Sequence, residues 1–135
     1  IREMEEIIRR HGLIPVPVDI SIDTVAPKLE LLEQLVSPRS KVLLIAHLFG
    51  IIIPLQPYID FCHKNNILLV EDCAQAFAGK QYYGHPQADV SLFSFGAIKS
   101  CTALGGAVAL IKDKQLAHKI ETFEKAYPQK SDIWL

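Results

Sequence analysis

Lys99 lies in a short stretch between two apolar runs, VSLFSF at 90–95 and GGAVALI at 105–111. Its neighbours are Ala97, Ile98, Ser100 and Cys101. Upstream, the apolar run ILLVED at 67–72 ends on the carboxylate of Asp72. A lone lysine is most often a solvated surface charge. Held in partly apolar surroundings, however, its amine gives up its charge more readily and becomes a nucleophile. A lysine for a Schiff base and an acid facing a pyridine nitrogen are the two protein groups that pyridoxal phosphate chemistry needs. That chemistry uses the ring as an electron sink for a carbanion at the substrate Cα.

Other residues fit the same pocket with weaker signals. Gln75 follows Asp72 closely enough to share a site if the backbone turns, and its amide could hydrogen-bond a phenolic oxygen. Ser94, at the end of its run, could donate to a phosphate oxygen or satisfy nearby backbone. Asp72 itself equally suits the cap of a following turn. His47, inside an apolar run, reads as a satisfied core histidine. His11, His63, His85 and His118 show no metal spacing, and Cys62, Cys73 and Cys101 form no CxxC pair, so no metal is expected. Gly105-Gly106 is not a dinucleotide motif, and Tyr82 and Tyr83 read as hairpin residues.

The elements that must position these groups follow from periodicity. Residues 1–11, with Ile1, Met4, Ile7 and Ile8 at helical spacing, predict a helix stopped by Gly12. LIPVPVDI at 13–20 predicts an edge or irregular strand, because its prolines cannot donate to a ladder. A second helix is predicted over 27–36, then a turn at 37–40. KVLLIAHLF at 41–49 and ILLVED at 67–72 read as strands buried on both faces. They are separated by a helix over 54–66 whose buried face is Leu55, Ile59 and Cys62. KQYYGHPQAD at 80–89 reads as a surface excursion. Strands over 90–95 and 105–111 and an amphipathic helix over 113–126 complete the series. The alternation predicts an α/β fold, a three-layer α/β/α arrangement around a mostly parallel sheet. Asp72 and the segment after Phe49 then lie at strand carboxyl ends, where ligands of open α/β sheets bind.

Bulk properties exclude several classes. The 135 residues are 50% hydrophobic and 21% charged, with a net charge of −1. This is globular composition without the basic footprint of a nucleic-acid or membrane-surface binder. No apolar stretch approaches the roughly 18 residues needed to span a bilayer. An odd number of widely spaced cysteines argues for reduced thiols and a cytoplasmic protein. The chain opens inside an amphipathic pattern and stops at Asp132-Ile133-Trp134-Leu135 without a closing element, as a segment of a longer protein would.

Together, VDI at 18–20, AHLFG at 46–50, EDCAQA at 71–76, ADVSLFSFGAIKS at 88–100 and GGAVAL at 105–110 resemble one family in order and spacing. That family is the DegT/DnrJ/EryC1/StrS sugar aminotransferases, which are fold-type-I pyridoxal phosphate enzymes. The resemblance implies that Lys99 carries the cofactor, Asp72 partners its pyridine nitrogen, Gln75 lies near its ring oxygen and Ser94 near its phosphate. His47 matches a histidine common in the family, with no assigned role. It further implies transfer of an amino group from glutamate or glutamine to a nucleotide-linked keto sugar by a homodimer. The alternatives are a sugar dehydratase of the same family, in which histidine replaces the lysine, and a non-catalytic assembly module. Residues 1–135 would be part of the large cofactor-binding domain, without its N-terminal part and the C-terminal small domain. Two stretches depart from the family pattern. Ser100-Cys101-Thr102-Ala103-Leu104-Gly105-Gly106 is one residue shorter than the usual turn after the lysine and lacks its Glu. Gly96-Ala97-Ile98 replaces the common aromatic-Pro-Thr step.

Overall fold

The computed structural model describes residues 2–77, 79–99 and 101–127. Ile1, Ser100 and residues 132–135, which figure in the expectations above, lie outside the described residues. The chain forms two compact units, Ile1–Ser40 and Lys41–Leu135.

In the first unit, helix α1 spans Arg2–Arg10. It ends as the sequence predicts. Gly12 takes φ 73, Leu13 N–H donates to Ile8 O at 3.2 Å and Gly12 N–H to Arg9 O at 3.0 Å. This is the Schellman pattern, in which a glycine enters the left-handed region at no Cβ cost. The segment 13–20 is not a ladder strand. Its only pairing among the described residues is an isolated antiparallel bridge, Ile20↔Pro27. Pro15 and Pro17 remove the donors a ladder requires. Helix α2, Leu29–Leu35, begins two residues later than predicted, because Pro27 is taken up in that bridge.

The second unit holds the sheet. Strands β1 (Val42–Ala46), β2 (Leu68–Asp72), β3 (Val90–Ser94) and β4 (Ala107–Ile111) are joined by helix α3 (Gln56–Asn65) and followed by helix α4 (Lys114–Glu124). The strand order is β1-β2-β3-β4. The first three strands are parallel and β4 is antiparallel to β3. This is the mostly parallel α/β sheet expected from the alternation.

Helix α3 packs on β2 and α4 on β4. Asn66 closes α3 in the left-handed conformation, φ 53, and Ile67 N–H donates back to Cys62 O at 3.0 Å. The expected face of Leu55, Ile59 and Cys62 is buried, and Tyr58 and Phe61 join it. With Leu43, Ile45, Ile53 and Leu69 these residues form the core.

Two expectations need correcting. β1 ends at Ala46 rather than running to Phe49, because a 3₁₀ turn over Leu48–Gly50 follows. Its Phe49 and Gly50 take φ 57 and 78, which no strand residue can adopt. Nor is either of the strands β1 and β2 buried on both faces. Leu43, Ile45 and Leu69 are buried, whereas Val42 and Leu68 are 48% and 41% exposed. Successive side chains point to opposite faces, and the buried set is the one on the core side.

Candidate functional site

Parallel pairing sets β1, β2 and β3 with their carboxyl ends at one edge. Asp72 pairs with Ala46 on one side and Leu92 on the other. His47 N–H extends the ladder to Asp72 O at 3.0 Å, and Cys73 N–H to Leu92 O at 2.8 Å. Ser94 lies one pleat period beyond Leu92, so Asp72 and Ser94 project from the same face of the sheet. Both are half-buried.

Asp72 Oδ1 accepts from Ala74 N–H at 2.8 Å. The turn-capping role weighed from sequence is therefore real, but it uses only one carboxylate oxygen. The turn brings Gln75 over the end of β1, where its Oε1 accepts from Phe49 N–H at 2.9 Å. β3 runs into a loop closed at its base. Phe95 N–H donates to Gly106 O and Ala103 N–H to Phe95 O, each at 3.0 Å. Lys99 sits in this loop, in a turn that its own N–H closes on Gly96 O at 3.0 Å.

The four predicted residues thus share one edge. Among the described residues, however, no hydrogen bond or ion pair joins Lys99 to Asp72, Gln75 or Ser94. Asp72 Oδ2, Gln75 Nε2, Ser94 Oγ and Lys99 Nζ likewise have no hydrogen-bond partner among those residues.

Beneath the edge lies a network the sequence did not reveal. Glu71, adjacent to Asp72 and therefore on the opposite face, is 0% exposed. Tyr82 Oη donates to its Oε2 at 2.8 Å and His85 N–H to its Oε1 at 2.5 Å. Ser91 Oγ also donates to Oε1, and His47 Nε2 lies 3.1 Å from Oε2. Ile53 N–H donates to His47 Nδ1 at 3.1 Å, so the imidazole carries its hydrogen on Nε2 and gives it to Glu71. His47 is indeed a satisfied core histidine. The 80–89 segment is not merely a surface excursion, since Tyr82 and His85 dock on Glu71 and Tyr82 meets the His47 ring edge-on at 5.4 Å between centroids.

Burial by itself would raise the Glu71 carboxyl, but donation from His47, Ser91, Tyr82 and His85 outweighs it and holds the group down at about 2. Burial, reinforced by Glu71, pushes the Cys73 thiol and the Tyr82 phenol well up. Both therefore remain protonated beside the carboxylate. Ligand atoms of His47, Glu71 and Cys73 lie within 4.8 Å of one another. Both His47 nitrogens and both Glu71 oxygens are nevertheless engaged in hydrogen bonds. Only the carboxylate directly beside Asp72 could have hinted at this network. In a strand, two adjacent acids cannot both face the site, so one must find partners on the core side.

Known proteins share this architecture. The chain is 33% identical over 111 residues to the UDP-4-amino-4-deoxy-L-arabinose–oxoglutarate aminotransferase of Shewanella sediminis, covering 81% of the chain and 28% of that protein. It is also 33% identical over 112 residues to the GDP-perosamine synthase of Caulobacter vibrioides, covering 81% and 30%. The chain thus spans under a third of the length of these relatives.

Among solved structures, it superposes on DesI, determined in the presence of its TDP-sugar product, with a TM-score of 0.81 and 25% identity over 93% of this chain and 32% of that one. It also superposes on Spr1654 of Streptococcus pneumoniae in its PLP form, with a TM-score of 0.70 and 27% identity over 89% and 35%. The sequence profile of one family matches residues 4–131, which takes in the whole strand edge and its loops. The chain belongs to that family, the DegT/DnrJ/EryC1/StrS aminotransferases.

Proposed function

We propose that this chain is the central part of the pyridoxal phosphate-binding domain of an aminotransferase. The enzyme moves an amino group from glutamate or glutamine to a nucleotide-linked keto sugar. What supports this most is the donor set at the carboxyl edge: an amine, a carboxylate with one uncommitted oxygen, an amide with an uncommitted NH₂ and a hydroxyl. These groups fit an anionic aromatic cofactor that bears an aldehyde, a ring nitrogen and a phosphate. Of the relatives named above, one is named an aminotransferase of a UDP-linked amino sugar with oxoglutarate, one a GDP-perosamine synthase, and DesI was determined with a TDP-sugar product.

When bound, the cofactor supplies the electron sink for a carbanion at the substrate Cα. The chain's residues do the rest. Lys99 would hold the cofactor, and its amine would be the group that moves the Cα proton. Asp72, through its uncommitted Oδ2, would hold a proton on the ring nitrogen, Gln75 Nε2 would donate to the ring oxygen, and the Ser94 hydroxyl would donate to the phosphate. The proposal includes a homodimer, supported by the exposed apolar side chains Phe49, Ile98 and Leu104 around this edge. It also includes a cytoplasmic location, supported by three cysteines without a disulfide.

Borohydride reduction of the complete protein with pyridoxal phosphate, followed by peptide mapping, tests the assignment. A single pyridoxyl adduct on Lys99 is expected, and scattered labelling over other lysines would refute it. Lys99→Ala is expected to lower kcat for transamination by at least about 10²–10⁴, the range for losing a positioned acid–base group.

A further inference from the structure

Gln75 is exposed, yet its amide cannot turn freely. A backbone N–H can only donate, so the Gln75 atom 2.9 Å from Phe49 N must be the amide oxygen. The turn that carries Phe49 is itself held at its far end. Ile53 N–H donates to His47 Nδ1 at 3.1 Å, and the same ring donates through Nε2 to Glu71 at 3.1 Å. Phe49 has φ 57, a left-handed conformation that a non-glycine residue keeps only where surrounding contacts over-determine it. Glu71 is fully buried and also accepts from Tyr82, Ser91 and the His85 backbone. Its position is therefore fixed by three separate segments. A chain of contacts runs from Glu71 through His47 and the 48–53 turn to Gln75 Oε1, which leaves Nε2, with both of its N–H groups, as the uncommitted end of the amide.

We infer that Glu71 is a positioning residue which, through His47 and the 48–53 turn, fixes the orientation of the Gln75 amide so that the NH₂ of Nε2 is its free end and favours an anionic oxygen on the bound cofactor. The inference rests on the proposed function above. It adds a determinant on the opposite face of β2 from the cofactor-facing residues.

The test is a double-mutant cycle on the equilibrium dissociation constant of pyridoxal phosphate, in the complete protein carrying this chain. Gln75→Ala is expected to weaken binding about tenfold or more, as for a lost hydrogen bond to a charged acceptor. Glu71→Gln is expected to weaken it several-fold alone and by nothing further in the Gln75→Ala background. Additive losses, or a Gln75→Ala protein that binds normally, would overturn the inference. If Glu71→Gln does not fold, Tyr82→Phe removes one of its donors while keeping the carboxylate, and enters the same cycle.

A second readout needs no cofactor. In the protein freed of pyridoxal phosphate, ¹⁵N NMR is expected to find His47 protonated on Nε2 and bare on Nδ1; the reverse tautomer would break the chain of contacts. Failure of the unsubstituted protein to bind pyridoxal phosphate at Lys99 would remove both the proposed function and this inference. Normal binding at Lys99 with additive losses would remove the inference alone.

Discussion

Gly84 shows how tightly the buried carboxylate is enclosed. A Cβ built there would stand 2.7 Å from Ser91 Cβ and 2.8 Å from Glu71 Oε1, and the backbone is at φ 89. Gly84→Ala is therefore expected to combine left-handed strain with overpacking and cost about 2–4 kcal/mol in urea unfolding. Gly79 has a similar φ of 90 but nothing within 4 Å, so Gly79→Ala is expected to cost only about 1–2 kcal/mol of backbone strain. Equal losses at the two positions would show that contact with Glu71 and Ser91 does not set the cost. At this scale the sequence carried the edge residues. Lys99, Asp72, Gln75 and Ser94 were legible because each follows an apolar run or turn signal and because their order resembles one family. Glu71 was not, since its partners His47, Tyr82 and Ser91 come from three other stretches of chain.

Elements were legible where local chemistry decides them. Helix α4 begins where Asp113 accepts from Leu116 N–H at 2.6 Å, the N-cap arrangement that satisfies a donor left unpaired at a helix start. Asp113→Ala is expected to cost about 1 kcal/mol in thermal unfolding and to speed amide exchange at Leu116, while Asp113→Asn keeps most of the cap. An unchanged exchange rate would show that packing on β4, not the cap, sets where the helix starts. The Gly12 stop was readable for the same reason. The missing strand at 13–20 and the early end of β1 were harder to read. An apolar run states what can pair, but the partner decides whether it does. Phe49 N–H goes to a glutamine side chain rather than to a neighbouring strand.

Acid links the network to the stability of the whole molecule. Glu71 is shifted from its ordinary 4.5 down to about 2. A carboxylate with a depressed folded-state value contributes stability that is complete above its unfolded value and is lost as pH falls through the folded one. The contribution is on the order of 3 kcal/mol, fading between about pH 4.5 and 2. Chemical denaturation across that window should show the slope, and Glu71→Gln should flatten it. An unchanged slope in the variant would assign the acid sensitivity to other carboxylates.

The sequence alone determined the fold class, the order of the elements from α2 onward and the family. Those depend on periodicity, turn residues and short motifs that are local along the chain. Only the tertiary structure decided which strands pair, that β4 runs antiparallel to β3, and that Glu71 gathers His47, Tyr82 and Ser91 beneath the edge. Such contacts join residues far apart in sequence, and a buried charge takes its partners from whatever the fold brings within hydrogen-bond reach.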